Sequence, residues 1–244
     1  MEVKGDCGSR RSRTVPPAAA AARIGCVIYD LDGLLLDTES FYTQVSQLIA
    51  RRYGREFDWS LKSRMIGKRA IESAAIFTRT LDLPLTPEAY LEERKALLEA
   101  LFPKAEPMPG ALRLTRHLHD HGIAQAVATS SDRRNFELKT QRHADWFGIF
   151  DGLVIGDDPE IRKGKPAPDI FLLAACRLAV EPAQCLVLED SPAGLEAALA
   201  AGMYVVAVPD PHMDTGIYSG SHQLLHSLAE FEPGAWGLPP YPTE

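Results

Sequence analysis

The chain has no run of about 18 uninterrupted apolar residues, the least a membrane-spanning helix needs, and no early apolar stretch resembling a secretory leader. A soluble, cytoplasmic protein with no membrane partner is therefore expected. Cysteine is scarce: Cys7, Cys26, Cys176 and Cys185 stand far apart and form no C-x-x-C pair. Reduced, inert thiols are expected rather than disulfides. Basic charge is also in short supply, with 26 Lys plus Arg against 33 Asp plus Glu and a net charge of −7. That balance argues against a nucleic-acid partner. No internal repeat is present, and the only low-complexity stretch is the alanine run after Pro17.

What is present is enough chain, 244 residues with 45% hydrophobic side chains, for one large domain carrying an insert. Residues 1–23 are polar, basic at Arg10, Arg11 and Arg13, and lack a periodic apolar face. A disordered tail is expected, since Glu2 and Asp6 do not suit the acid-poor composition of a mitochondrial presequence. Five short apolar runs read as buried strands: Ile24 to Tyr29, Ile123 to Ala128, Gly152 to Ile155, Cys185 to Leu188 and Tyr204 to Val208. Between them lie helical patterns such as Ala111, Leu114, Thr115 and Leu118, closed by Gly122. The alternation predicts an α/β fold, a Rossmann-like parallel sheet covered on both faces, with ligands beyond the carboxyl ends of the strands.

From Thr38 to Phe102 the strands disappear and helical patterns follow one another. Phe41, Val45, Leu48 and Ile49 mark one face of a helix stopped by Gly54, and Thr86-Pro87 starts another. The expected organisation is a core of residues 24–40 and 104–244, interrupted by an α-helical insert over 41–103.

Chemistry gathers at the strand ends. The first strand runs into Asp30-Leu31-Asp32-Gly33, and the fourth into Glu189-Asp190-Ser191-Pro192. Acids ending an apolar strand are costly unless a cation compensates them, although each pair alone could be a solvated turn. If the two strands are neighbours, the carboxylates converge and suit a hard cation such as Mg²⁺, which takes oxygen ligands. Thr129-Ser130-Ser131 closes the second strand and Gly164-Lys165-Pro166 follows the third. Hydroxyls, turn N–H groups and an ammonium are what phosphate oxygens need, while helix capping and a surface lysine are the plainer readings. His117 and His121 stand at i and i+4, but no third ligand accompanies them and they read as a solvated face. Asp157-Asp158 reads as a turn, and Asp169 as a helix N-cap.

In this order the four pieces resemble the motifs of the haloacid dehalogenase superfamily of phosphohydrolases, over about residues 24 to 240. Asp30 to Glu39 is similar to the first motif, Thr129 to the second, Lys165 to the third and Glu189-Asp190 to the fourth. The insert resembles the superfamily's C1 cap. By this resemblance Asp30 is the nucleophile that forms an aspartyl-phosphate, and Asp32 is the general acid/base. Thr129, the Ser130 backbone N–H and Lys165 hold the phosphoryl group. Mg²⁺ is held by the Asp30 carboxylate, the Asp32 carbonyl oxygen and Asp190, with Glu189 supporting the site from behind. Lys68, beside Gly67 in the cap, is the residue expected to reach the leaving group.

Asp32 points to a phosphatase rather than a dehalogenase, with sugar-phosphate mutases and a non-catalytic binding protein as alternatives. Met65-Ile66-Gly67-Lys68, Lys139 to His143, Gly156 to Glu160 and Trp236 to Pro239 resemble the branch holding pseudouridine-5'-phosphatase and plant glycerol-3-phosphatases. Thr129-Ser130-Ser131 and Leu83-Pro84-Leu85 lean to the former, Gln141 and Phe57 to Lys62 to the latter. Pseudouridine 5'-phosphate is the leading expected substrate and glycerol 3-phosphate the alternative. Leu188 departs from the phenylalanine common before the Glu-Asp pair, a buried change that leaves the chemistry intact. A monomer acting on a small phosphorylated metabolite is expected.

Overall fold

A computed structural model of the protein describes residues 23–66 and 70–242. Cys7, Lys68 and all of the expected tail except Arg23 therefore lie outside the described residues. Six strands, β1 (Cys26–Tyr29), β2 (Ala124–Ala128), β3 (Gly152–Val154), β4 (Cys185–Glu189), β5 (Tyr204–Ala207) and β6 (Gln223–Leu224), form one sheet. Its order is β3-β2-β1-β4-β5-β6, and every pairing is parallel. The first five were legible as apolar runs. β6 was not, because two residues carry no periodicity.

Alternation along each strand sends side chains to opposite faces, and both faces are buried. Val27, Tyr29, Leu186, Leu188 and Val206 face one core, together with Leu114 and Leu118 of α5 (Ala111–Asp120). Cys26, Ile28, Val187 and Val205 face the other, covered from α8 (Asp169–Arg177) and α9 (Pro192–Ala200). The buried positions of α5 are Ala111, Leu114, Thr115 and Leu118, the stripe expected from sequence. Cys26 and Cys185 are free thiols on neighbouring strands, and Cys176 is free and exposed. Asp169 is the first residue of α8 rather than its cap. Its Oδ2 accepts from the Arg162 and Lys163 N–H groups (3.2 and 3.1 Å), so the side chain ties down the preceding loop instead of its own helix.

Among the described residues, 39–66 and 70–101 hold four helices: α1 (Glu39–Arg52), α2 (Trp59–Met65), α3 (Ala70–Thr80) and α4 (Pro87–Leu101). They share a core of their own around Val45, Ile49, Phe57, Phe77 and Tyr90. Thr86 caps α4 by accepting from the Ala89 N–H (3.1 Å), with Pro87 in the first turn. Leu48, expected in the buried face of α1, is 46% exposed. The buried face is set by Val45, Ser46, Ile49 and Ala50, and at 3.6 residues per turn Leu48 points about 130° away from its centre. The two connections to the sheet hydrogen-bond to each other, Asp37 N–H to Glu106 O and Met108 N–H to Leu35 O, both at 2.9 Å. Between α4 and β2 run Phe102–Lys104, a single 3₁₀ turn, then the returning connection and α5. After β2 come α6 (Arg133–Thr140) and the single turn α7 (Ala144–Phe147).

Candidate active site

β1 and β4 are paired with Tyr29 opposite Leu188, so the next residues, Asp30 and Glu189, emerge side by side. The Asp30 N–H continues the ladder to Leu188 O at 3.1 Å. Between β1 and β4 the strand order reverses, and such a switch point opens a crevice at the carboxyl edge. The convergence that the sequence made conditional on strand adjacency is therefore met.

Lys165 stands between the two acids. Its Nζ donates to Asp30 Oδ1 (2.5 Å), Glu189 Oε1 (2.5 Å) and Ala128 O (3.2 Å), so all three ammonium protons have acceptors. Burial alone would lower the Lys165 pKa, but the charges of Asp30 and Glu189 outweigh it and hold the ammonium protonated. Glu189 is wholly buried and fixed from the other side, with Oε2 accepting from the Ser191 N–H (2.9 Å) and Oγ (3.0 Å). Ser191 also accepts from the Gly194 N–H (3.1 Å), capping α9. A Cβ on Gly194 would lie 1.7 Å from Glu189 Oε1, so only glycine leaves room for this carboxylate.

Asp190 is brought close by Gly33, whose φ of +79° allows the sharp turn after β1. A Cβ there would sit 2.4 Å from Asp190 Oδ2. Tyr218 Oη donates to the Asp190 carbonyl (2.7 Å), but no donor to its carboxylate is found among the described residues. Burial, then the charges of Glu189, Asp30 and Glu39, push the Asp190 pKa well above its ordinary value. Asp30 is pushed up to about 7, by burial first, with Lys165 opposing and Glu189 and Asp32 assisting. Asp30, Glu189 and Asp190 thus set three carboxylates against one ammonium, leaving two negative charges if all are ionised. Among the described residues no three His, Cys, Asp or Glu side chains form a metal cage by themselves. Mg²⁺ does not need one, because it binds through one or two carboxylates with waters and phosphate oxygens. The donor set at Asp30 and Asp190 fits it.

Asp32 faces the other way. Its Oδ1 accepts from Thr38 Oγ1 (2.6 Å) and Lys139 Nζ (2.5 Å), and its Oδ2 from Ser131 Oγ (2.8 Å) and Thr129 Oγ1 (3.4 Å). Burial opposes ionisation, but Lys139, Thr38 and Ser131 together lower the Asp32 pKa. The structure thus brings Asp30, Asp32, Thr129, Lys165, Glu189 and Asp190 together. Ser130 is exposed in the turn beside them. Ser131 and Thr38 stand in the runs read from sequence but were given no role there, and Lys139 was not foreseen in the site.

Above the acids a cavity of about 260 Å³ is lined by Glu39, Tyr42, Lys62, Arg94, Asp190 and Tyr218, from both the insert and the sheet edge. Lys62 Nζ donates to Thr43 Oγ1 (2.9 Å) and pairs with Glu39 (3.3 Å), making it the described lysine of the insert that lines this cavity. His117 and His121 lie elsewhere, with His117 Nε2 on Pro239 O (2.9 Å) and His121 Nδ1 on His117 O (2.7 Å).

A family model described as haloacid dehalogenase-like hydrolase matches residues 24–202. The chain is 48% identical over 233 residues to (DL)-glycerol-3-phosphatase 2 of Arabidopsis thaliana, covering 92% of this chain and 97% of that protein. It is 43% identical over 217 residues to a Drosophila melanogaster protein named "Probable pseudouridine-5'-phosphatase", covering 88% and 94%. A crystal structure of a haloacid dehalogenase family hydrolase from Deinococcus radiodurans, with bound phosphate and sodium, superposes with a TM-score of 0.74. Identity there is 26%, covering 90% of this chain and 99% of that one.

Proposed function

We propose, from the premise that the chain belongs to the haloacid dehalogenase-like hydrolase family, that Asp30 and Asp32 divide the hydrolysis of a phosphomonoester between them. The chain is a phosphoric monoester hydrolase acting on small phosphorylated metabolites. The observation that carries the residue assignment is the Asp30–Lys165–Glu189 array at the switch point, with Asp32 two residues on.

In this reading an Asp30 carboxylate oxygen attacks phosphorus and the bond to the alcohol breaks. Asp32 gives a proton to the departing alkoxide, a step that requires its carboxyl to be protonated once the ester is bound, against the pull of Lys139, Thr38 and Ser131 in the empty site, and that leaves an aspartyl-phosphate on Asp30. Asp32 then takes a proton from a water that attacks the phosphorus, releasing phosphate and restoring Asp30. Lys165, the Thr129 hydroxyl and the Ser130 N–H hold the phosphoryl oxygens, and Glu189 keeps Lys165 in place. Mg²⁺ would be held by the Asp30 and Asp190 carboxylates and the Asp32 carbonyl oxygen, where it supplies positive charge against the phosphoryl oxygens. Positioning and charge neutralisation are most of what phosphoryl transfer asks of a protein.

The helical insert serves as the cap that selects the alcohol, through Lys62 and Arg94 in the cavity, with Lys68 close by in sequence. Glycerol 3-phosphate is the substrate best supported, by the 48% identity to a glycerol-3-phosphatase. Pseudouridine 5'-phosphate, the sequence expectation, is a second reading favoured by the cavity, which at about 260 Å³ exceeds what glycerol fills. Phosphate release from a panel of phosphomonoesters with Mg²⁺, ranked by kcat/KM, tests both. Glycerol 3-phosphate should lead. A clear preference for the nucleotide reverses the order, and no release from any ester overturns the assignment.

A further inference from the structure

Lys139 is the most completely buried charged group that the mechanism above does not use, at 1% exposure. It sits on α6 in the stripe Phe136, Lys139, Thr140, where helical periodicity would place an apolar residue. Its Nζ meets Asp32 Oδ1 at 2.5 Å, Ser131 Oγ at 2.7 Å and the ring face of Phe102 at 4.4 Å. Packing alone would favour an apolar side chain here, because a buried ammonium loses its hydration and recovers it only through its partners. The partner that matters is the carboxylate of Asp32.

We propose that Lys139 is a positioning residue that fixes the orientation of the Asp32 carboxylate for proton transfer, resting on the reading of Asp32 as acid/base. Ser131 donates to Asp32 Oδ2 at 2.8 Å and receives Lys139, so Lys139, Ser131 and Asp32 form a closed triangle. One oxygen of Asp32 is held by Lys139 and the other by Ser131, which sets both the position and the twist of the carboxylate plane. Without Lys139, Oδ1 keeps only Thr38, the residue preceding α1 of the insert. The Phe102 contact places Lys139 against the segment by which the insert returns to the sheet. Lys139 itself stands on α6, outside the insert, so the acid/base is oriented by a residue of the sheet domain.

Lys139→Met keeps the length and the Phe102 contact while removing the donor. The test compares kcat/KM for phenyl phosphate, whose alkoxide-like leaving group needs a proton, with p-nitrophenyl phosphate, whose leaving group does not. Both are measured in the wild-type and Asp32→Asn backgrounds. The expected result is a loss of roughly tenfold to a hundredfold for phenyl phosphate and under about threefold for p-nitrophenyl phosphate. In Asp32→Asn the further loss should be no more than about twofold, since a residue acting through Asp32 has nothing left to position. Equal losses on the two esters, or the same loss in both backgrounds, would overturn the proposal. If Asp32→Asn alone leaves phenyl phosphate turnover intact, the acid/base reading fails and takes the proposal with it, a pattern distinct from the other two. Should Lys139→Met not fold, Lys139→Leu, which likewise has no donor, carries the same comparison.

Discussion

Lys165 at the sheet edge and Lys62 in the helical insert are both nearly buried ammonium groups beside carboxylates, yet they are held in different ways. Lys165 is 6% exposed and gives each of its protons to an acceptor just after β1, at the end of β4 or at the end of β2. Those acceptors are fixed by strand register, so they cannot move apart without breaking ladder hydrogen bonds. Lys62 has one hydroxyl at 2.9 Å, a carboxylate at 3.3 Å that is itself 40% exposed, and the face of Trp59 at 5.2 Å. Its place depends on helices that pack on their own core and join the sheet through two short hydrogen-bonded segments. The difference teaches how labour is divided: chemistry sits where the backbone is over-determined, and selection sits where side chains have room to adjust. Changes on the sheet side should affect every substrate, and changes in the insert should discriminate among them.

The harshest test of the sheet side is Asp30→Asn. The amide keeps the volume and Lys165 keeps Glu189 and Ala128 as acceptors, so the thermal midpoint should stay within a few degrees. Phosphate release should vanish for all esters, because an amide cannot form the aspartyl-phosphate. Residual turnover near wild type in a folded variant would remove Asp30 from the mechanism. Chelation comes next in size. With Asp30, Glu189 and Asp190 all ionised, two uncompensated negative charges would be joined by a phosphate dianion, a repulsion that already raises the Asp30 and Asp190 pKa values and that a divalent cation relieves. EDTA should silence the enzyme, Mg²⁺ should restore it, and Ca²⁺, with longer bonds and more ligands, should restore it poorly. Undiminished activity in chelator would refute a site built on Asp30 and Asp190.

The same contrast explains what could be read from sequence. Asp30, Glu189 and Asp190 were legible because apolar runs that end in acids are conspicuous, and Lys165 because glycine and proline flank it. The adjacency of β1 and β4 was only a condition, since strand order is not written in local periodicity. Lys139 was passed over because lysine is normally a surface residue, although its place three residues after Phe136 and one before Thr140 marks a buried stripe. Lys62, buried beside Leu61 in a seven-residue helix, gave too short a pattern to place. Lys68, the cap residue chosen from sequence, lies outside the described residues.

Gly33→Ala probes the rigidity of the sheet edge with one methyl group. At φ +79° an L side chain is strained by about 1–2 kcal/mol, and the new Cβ would press on Asp190 Oδ2 at 2.4 Å. Either the turn or the Asp190 carboxylate must shift, and a displacement near 1 Å in an oriented site costs roughly 10²-fold. The expected result is a folded protein with kcat/KM lowered by about that factor for every ester alike, together with a raised Mg²⁺ requirement. A loss confined to one substrate would mean that Gly33 shapes the cavity rather than the acid cluster.

Lys62→Ala should give the smallest effect and the most selective. Lys62 lines the same cavity as Asp190, and removing it takes away one ammonium while leaving Thr43 and Glu39 able to find water at the cavity wall. If Lys62 reads the alcohol, kcat/KM for glycerol 3-phosphate should fall about tenfold, or about 1.4 kcal/mol, while p-nitrophenyl phosphate loses much less. The loss should sit mainly in KM if the contact is made equally in the bound and transition states, and in kcat if it tightens only as the phosphoryl group moves. Glu39 sharpens the interpretation. Its pKa is raised, by burial first, with Lys62 opposing, so losing Lys62 pushes it further toward the neutral acid. Lys62→Gln removes the charge but keeps a hydrogen-bond donor, so recovery by Gln would show that donation to the alcohol, rather than charge, is what the cap supplies. Equal losses on all esters for both variants would instead put Lys62 with the sheet-edge residues, and the division between a rigid chemical side and an adjustable selective side would fail at this residue.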